Sequence, residues 1–143
     1  MLSKKTKYGL KALSYLAKQE ANVPILISDI SESENISKKF LESILLTLKK
    51  SGILSSKKGK GGGYYLIKNP NDIKISTIIR LLEGPIAMLP CVSLNYYEKC
   101  DDCKSEERCS LNILMAEVRD STLKILENKT LANFHCGPDN LLK

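Results

Sequence analysis

Long apolar runs are missing from this chain. No stretch approaches the roughly 18 residues needed to cross a bilayer, so a membrane-spanning protein is not expected. The opening MLSKKTKYGLKAL is basic but has no continuous apolar stretch ahead of a cleavage site, and it does not read as a secretory signal. A cytoplasmic location is expected, where thiols stay reduced. Histidine is nearly absent. The one present, His135, adjoins Cys136, whereas a nucleophilic Cys–His pair needs spatial convergence and an orienting third group, and sequence neighbours generally point apart. No other catalytic constellation exists in the chain, so no enzymatic activity is expected. The phosphate-cradling pattern G-x-x-x-x-G-K-[ST] is missing too, because no lysine and hydroxyl follow the glycines that end at Gly63.

Arginine is absent from residues 1–70, whose 13 basic residues are all lysine against 5 acids, a balance of +8; residues 71–143 hold 9 basic and 11 acidic residues, a balance of −2. The front half is therefore the candidate polyanion binder, although lysines can also serve only solubility, so pattern has to decide. With 43% apolar and 27% charged residues, the 143-residue chain has an ordinary globular composition. It can bury one core or two small ones, and it is too short for a large multidomain enzyme.

From Lys5 to Lys18, Tyr8, Leu10, Ala12, Leu13, Tyr15, Leu16 and Ala17 fall near helical spacing with lysines between them, which predicts a first amphipathic helix. Asn22-Val23-Pro24 breaks it. Ser28 and Asp29 are expected to cap a short second helix reaching about Ser33. Asn35-Ile36-Ser37 then reads as a turn, and Ser37 as the cap of a helix that buries Phe40, Leu41, Ile44, Leu45 and Leu48 and ends at a left-handed Gly52. Two helices joined by a tight turn are the mark of a helix-turn-helix, whose second helix enters the major groove N-terminus first. A plain three-helix core with solvated lysines fits the same residues.

The next segment, Ile53 to Ile67, alternates like a strand, passes a tip containing Lys57, Lys58, Lys60 and glycines, and returns as a strand through Tyr64. That is a β-hairpin wing whose glycines allow close approach to phosphate, or a merely solvated hairpin. Ile73, Ile75, Ile78, Ile79, Leu81 and Leu82 predict a further helix from about Ser76 to Glu83-Gly84-Pro85. From a start near Cys109, Leu111, Leu114, Met115, Val118, Thr122, Ile125 and Leu126 recur at spacings of three and four, an apolar stripe that needs a partner, within the chain or outside it. Between the two helices lie Cys91, Cys100, Cys103 and Cys109, spaced C-x8-C-x2-C-x5-C. Thiols gathered so closely point to a metal or redox centre; iron–sulfur, structural zinc, a metal-free thiol–disulfide sensor and unused remnants all stay open.

The ordered set Lys7-Tyr8-Gly9-Leu10-Lys11-Ala12-Leu13, Ser28-Asp29-Ile30, Asn35-Ile36-Ser37, Phe40-Leu41-Glu42, Leu54-Ser55-Ser56, Gly62-Gly63-Tyr64 and Thr130-Leu131-Ala132-Asn133-Phe134 resembles the IscR/NsrR/CymR group of bacterial winged-helix regulators, often called the Rrf family. The resemblance covers residues 1 to about 134. It implies a mainly α protein with a small β-hairpin wing: a winged helix-turn-helix over 1–84, a cysteine-rich sensor loop over 85–109, and a long dimerisation helix and short segment over 110–134; the polar stretch beyond, with Gly137-Pro138-Asp139-Asn140, is expected to make 135–143 a flexible tail.

It further implies a homodimer on a double-stranded DNA operator, no membrane partner, and in some relatives control through a regulatory protein partner. The expected DNA contacts are Ser28, Ser37, Lys38, Lys39, Phe40, Glu42, Lys57, Lys58, Lys60, Gly62 and Tyr64. Glu42 would suit a cytosine amino group or be a solvated carboxylate. Lys58 stands where relatives commonly carry arginine, keeping charge without the planar fork.

The expected dimer interface is Leu111, Leu114, Met115, Val118, Thr122 and Ile125. The implied cofactor is an iron–sulfur cluster of the two-iron two-sulfur kind on Cys91, Cys103 and Cys109, with zinc or no metal as alternatives. Asn112 replaces a histidine that some relatives use as a ligand, and Lys7 replaces a first-helix acid. The additional Cys100 is then the candidate fourth ligand.

Overall fold

The structure, a computed structural model, describes residues 1–134; the expectations for His135, Cys136 and the 135–143 tail lie outside the described residues. Helix α1 spans Lys4–Ala17 and starts where the Ser3 hydroxyl accepts the Thr6 amide at 3.3 Å. Its inward face carries Leu10, Leu13 and Leu16, all buried. Ser3 and Thr6 are also hooked from a distance. The Ser3 amide and hydroxyl and the Thr6 hydroxyl all donate to Glu83 Oε2, across some 80 residues of chain. These bonds, Thr6 first, hold the Glu83 carboxyl below its ordinary value.

Helix α2 (Ile27–Glu34) corrects the expected cap. Its N-cap is Leu26, with no side-chain capping bond, and Ser28 sits half-buried inside the first turn. The cause lies upstream. Ile25 exchanges two main-chain hydrogen bonds of 2.8 Å with Tyr64, so the chain leaves Ile25 extended and enters the helix at once. Ser28 is already helical there and has no free amide ahead of it to cap. Asp29 still favours the first turn through the helix dipole.

Helix α3 (Lys38–Lys50) buries Leu41, Ile44, Leu45 and Leu48 as expected, whereas Phe40 is only half-buried. It ends in a Schellman arrangement: Gly52 at φ 79°, its amide bonded to Lys49 O at 3.1 Å, and the Ile53 amide bonded to Leu48 O at 3.2 Å. The chain then turns straight into strand β1 (Leu54–Lys57), which pairs antiparallel with β2 (Gly63–Leu66) from Leu54↔Leu66 to Lys57↔Gly63. The Ile25–Tyr64 bridge adds a third, one-residue rung. It passes so close to Gly63 that any side chain there would meet the Ile25 main chain.

Helix α4 (Ile75–Leu82) begins one residue before the expected Ser76 and closes the core with Ile78, Ile79 and Leu82. Helix α5 (Ser110–Glu127) follows the cysteine segment and contributes only Leu123 to the buried residues. The segment after α5 then returns to the front of the molecule. Ile75 donates to Lys129 O at 3.0 Å, Leu131 donates to Ile73 O at 2.8 Å, and the Ser14 hydroxyl donates to Phe134 O at 3.2 Å. Leu131 is completely buried in the winged-helix core, a burial worth roughly 1.5–3 kcal/mol. Residues 129–134 are thus built into the front unit, and α5 is clamped at its far end by the core it left. No helix among the described residues is long and apolar enough to cross a membrane.

Candidate nucleic-acid interface and cysteine pocket

The α2–α3 turn is set by Asn35, which takes the left-handed conformation (φ 52°, ψ 53°), a cost that asparagine bears better than most residues. Ile36 then plugs into the core at 3% exposure, and the Ser31 hydroxyl donates to Ile36 O. Lys11 of α1 ties the same corner, donating to Glu34 O at 2.9 Å. The turn leaves the start of α3 facing solvent. Ser37 caps it by accepting the Phe40 amide at 3.4 Å, and Ser37, Lys38, Lys39 and Glu42 are exposed. Phe40 packs edge-on against Tyr8 of α1, ring centroids 5.6 Å apart, which fixes the tilt of the α3 N-terminus on α1. An exposed helix N-terminus with two unpaired lysines is a favourable place for phosphate.

In the wing, Lys57, Lys58 and Lys60 are exposed, and among the described residues none of them, nor Lys38 or Lys39, makes an ion pair. Tyr64 is half-buried, committed through its main chain to Ile25. Gly62 differs from its expected place on the contact surface. It is buried under the tip, without a positive φ, where a Cβ would lie 2.3 Å from Lys57 O. Its task is to close the hairpin. Lys49, which sequence reasoning passed over, donates to the Ser56 hydroxyl at 2.6 Å and links α3 to the wing.

Cys91, Cys100, Cys103 and Cys109 line one cavity of about 520 Å³. Cys91 lies in a 3-10 turn (Pro90–Val92), Cys100 and Cys103 are joined by a turn in which the Cys103 amide donates to Cys100 O at 3.2 Å, and Cys109 caps α5. All four are half-buried, and none is in a disulfide. Asn112 spans the first and last of them: its main-chain amide donates to Cys109 Sγ and its side-chain amide to Cys91 Sγ, each at 3.4 Å. The neighbouring Cys91 thiol first, and partial burial second, push the Cys100 thiol above its ordinary value. Among the described residues, no three His, Cys, Asp or Glu side chains are gathered tightly enough to hold a metal ion.

Two further anchors were not read from the sequence. Arg119 of α5, 16% exposed, donates to Val92 O at 2.7 Å, pinning the residue after Cys91 to the helix. Tyr97 donates to Glu106 across the loop, which pushes its hydroxyl up to about 12. No motif or spacing in the sequence marks either of them. On the other face of α5, Leu111, Leu114 and Ile125 are 52%, 51% and 63% exposed, with Met115, Val118 and Thr122 half-buried beside them. The single chain does not cover the stripe.

Comparison with known proteins places the fold in a family of transcriptional regulators. The family profile "Rrf2: Iron-dependent Transcriptional regulator" matches residues 2–136. The chain is 42% identical over 134 residues to a putative HTH-type transcriptional regulator rrf2-like of Rhodobacter capsulatus, covering 92% of this chain and 89% of that one. It is 30% identical over 130 residues to the HTH-type transcriptional regulator IscR of Pectobacterium atrosepticum, covering 91% and 76%. Among solved structures, CymR, described as the global cysteine regulator of B. subtilis, superposes with a TM-score of 0.76 at 30% identity, covering 95% of this chain and 98% of that one.

Proposed function

Because the chain belongs to the Rrf2 family of transcriptional regulators, we propose that it binds a DNA operator as a homodimer and that its grip follows the state of the four pocket thiols. The observation that carries DNA binding is the α3 N-terminus, where a left-handed turn at Asn35 presents Ser37, Lys38 and Lys39 to solvent beside a lysine-tipped wing. Helix-turn-helix proteins put this end of the second helix into the major groove, and lysines at its mouth neutralise phosphates. The exposed stripe of α5 is the dimer surface, because an apolar face of this length on a lone chain is unstable in water, and pairing α5 with its twin sets the distance between two recognition helices.

The donor set of the pocket suits an iron–sulfur centre: Cys91, Cys100, Cys103 and Cys109 are soft ligands, and no imidazole competes among the described residues. Loading requires the loop bearing Cys100 and Cys103 to close on Cys91 and Cys109, since no three donors are yet within reach of one ion. A bound cluster would supply reversible one-electron chemistry and sensitivity to oxidants. The protein's own part is mechanical. Cys91 is tied to α5 through Asn112 and Arg119, so ordering or releasing the loop acts on the helix that spaces the two DNA-reading units. A shift of a few kcal/mol between two such arrangements is enough to change operator affinity by orders of magnitude.

The test joins two measurements on anaerobically purified protein. Iron, sulfide and visible absorption report the centre. Fluorescence anisotropy with operator fragments at rising salt reports DNA binding, expected to weaken steeply with salt as several phosphates are neutralised. Protein that ignores operator fragments at low ionic strength, metal-loaded or metal-free, reduced or oxidised, sinks the regulator reading. Absence of iron and sulfide after reconstitution sinks the cluster alone.

A further inference from the structure

A separate cavity, of about 350 Å³, opens at the root of the wing, between the end of α1 and the chain that leaves β2. Its deeper lining is apolar: Leu16 is buried, and Ala17 and Ile25 are half-buried. Glu20 and Lys68 bring opposite charges to the exposed part of the lining, and among the described residues neither makes an ion pair. Small-molecule sites have this size and this make-up, an apolar interior with a few polar groups that fix orientation.

The cavity wall also contains an unfinished strand edge. Ile25 and Tyr64 exchange both main-chain hydrogen bonds, so Tyr64 turns its amide and carbonyl away from β1 and toward Ile25. By the same alternation Leu66 faces that side too, while the Ile67 amide points back and donates to Ile53 O at 3.1 Å. Continuing the register of the Ile25–Tyr64 bridge would bring Val23 opposite Leu66. It does not arrive. Asn22 turns the chain aside at φ 62°, and the Val23 amide donates to Glu20 O at 3.3 Å instead. Among the described residues nothing meets the Leu66 amide and carbonyl on this edge, and both Leu66 and Val23 line the cavity.

We propose that this cavity binds a free aliphatic α-amino acid of about the size of leucine. A strand residue opposite Leu66 would present one donor and one acceptor. An α-amino acid presents the same pair: its ammonium donates to the Leu66 carbonyl, and its carboxylate accepts the Leu66 amide. Glu20 complements the ammonium, Lys68 complements the carboxylate, and the aliphatic side chain is covered by Leu16, Ala17 and Ile25. The bound molecule takes the place that Val23 leaves empty and adds a rung beside the Ile25–Tyr64 bridge. Because the hairpin so braced carries Lys57, Lys58 and Lys60, occupancy lowers the cost of ordering the wing on DNA and raises operator affinity. That consequence rests on the DNA-binding reading above; the binding itself does not.

The test titrates full-length nitrogen-15-labelled protein with L-leucine and follows amide shifts and amide exchange. Saturable shifts are expected at Ala17, Val23, Leu66 and Ile67, with slower exchange at Leu66. 4-Methylpentanoate, which lacks the ammonium, and isopentylamine, which lacks the carboxylate, should each bind at least about tenfold more weakly. Glu20→Gln and Lys68→Gln, which alter exposed charges, should each cost about 2–5-fold. Val23→Trp, at an exposed position of the lining, should abolish the shifts and leave the circular dichroism spectrum unchanged. Absence of a saturable shift with leucine, shifts that persist in folded Val23→Trp, or 4-methylpentanoate binding as tightly as leucine overturns the proposal. Operator anisotropy with saturating leucine should show affinity raised at least about 5-fold. If leucine fills the site and operator affinity is unchanged, the site stands and its effector role falls; if no operator binds in either case, the DNA-binding reading falls and the site stands.

Discussion

Replacing Gly63 by alanine asks whether the wing is held to the helices by main-chain contact. Gly63 has φ +146°, and a Cβ built on it lies 2.2 Å from Ile25 O, 2.4 Å from its carbonyl carbon and 2.9 Å from its amide nitrogen. These are main-chain atoms and cannot rotate aside. Holding an L-residue at such a φ costs about 1–3 kcal/mol. Relieving the overlap means parting Ile25 from Tyr64 and losing their two 2.8 Å hydrogen bonds, at roughly 0.5–1.5 kcal/mol each. The sum, about 2–6 kcal/mol, is a large share of the roughly 5–15 kcal/mol that keeps a domain folded.

Gly61→Ala is the control, with φ +73° but nothing within 4 Å of the added Cβ, so it should cost only the backbone strain of about 1–2 kcal/mol. Urea unfolding followed by circular dichroism measures both variants, and amide exchange at Ile25 and Tyr64 shows whether the bridge has opened. Equal losses at the two glycines, or protection at Ile25 unchanged in Gly63→Ala, would refute the reasoning.

Arg119→Ala removes a charge-assisted bond to the Val92 carbonyl and should destabilise the protein by about 1.5–3 kcal/mol in denaturant unfolding, with faster amide exchange in residues 91–93. Glu83 has a folded-state pKa below its ordinary value, so between the two values the unfolded chain binds more protons. Its stabilisation is therefore complete above the ordinary carboxylate range and is lost as pH falls through the lower, folded value; Glu83→Gln should lessen the acid-side loss of stability in unfolding curves taken from pH 6 downward. The double variant Lys38→Ala, Lys39→Ala should weaken operator binding and reduce the slope of log K against log salt by about 0.9 per lost phosphate contact, read by anisotropy. The parent chain is expected to sediment as a dimer, and Leu114→Glu, placing a carboxylate in the exposed α5 stripe, should leave a folded monomer in sedimentation velocity.

Much of the front half was legible because its signals are local. The 3-and-4 spacing of Leu41, Ile44, Leu45 and Leu48, the Ser37 cap and the glycine at 52 act within one helix, and each appears where the periodicity predicts it. The hairpin was legible for the same reason. Ser28 misled because capping depends on where the helix starts, and that start is imposed by the Ile25–Tyr64 bridge across some 40 residues. Gly62 misled because its neighbours alone cannot show that the tip folds over it.

For the candidate site, the sequence by itself determined which atoms are available: four thiols within 19 residues, a lysine-rich front half, and an apolar stripe after Cys109. Only the tertiary structure decided how they are tied together. Asn112, which reads as a poor ligand, proves to hold Cys91 and Cys109. Arg119 reaches the loop 27 residues upstream, and Leu131 carries the end of α5 back into the first core. Such links are long-range bonds between single residues with no repeat or period to announce them. They form because a half-buried arginine, a helix N-terminus and an apolar side chain must each find a partner, and which partner is near is settled only once the chain has packed.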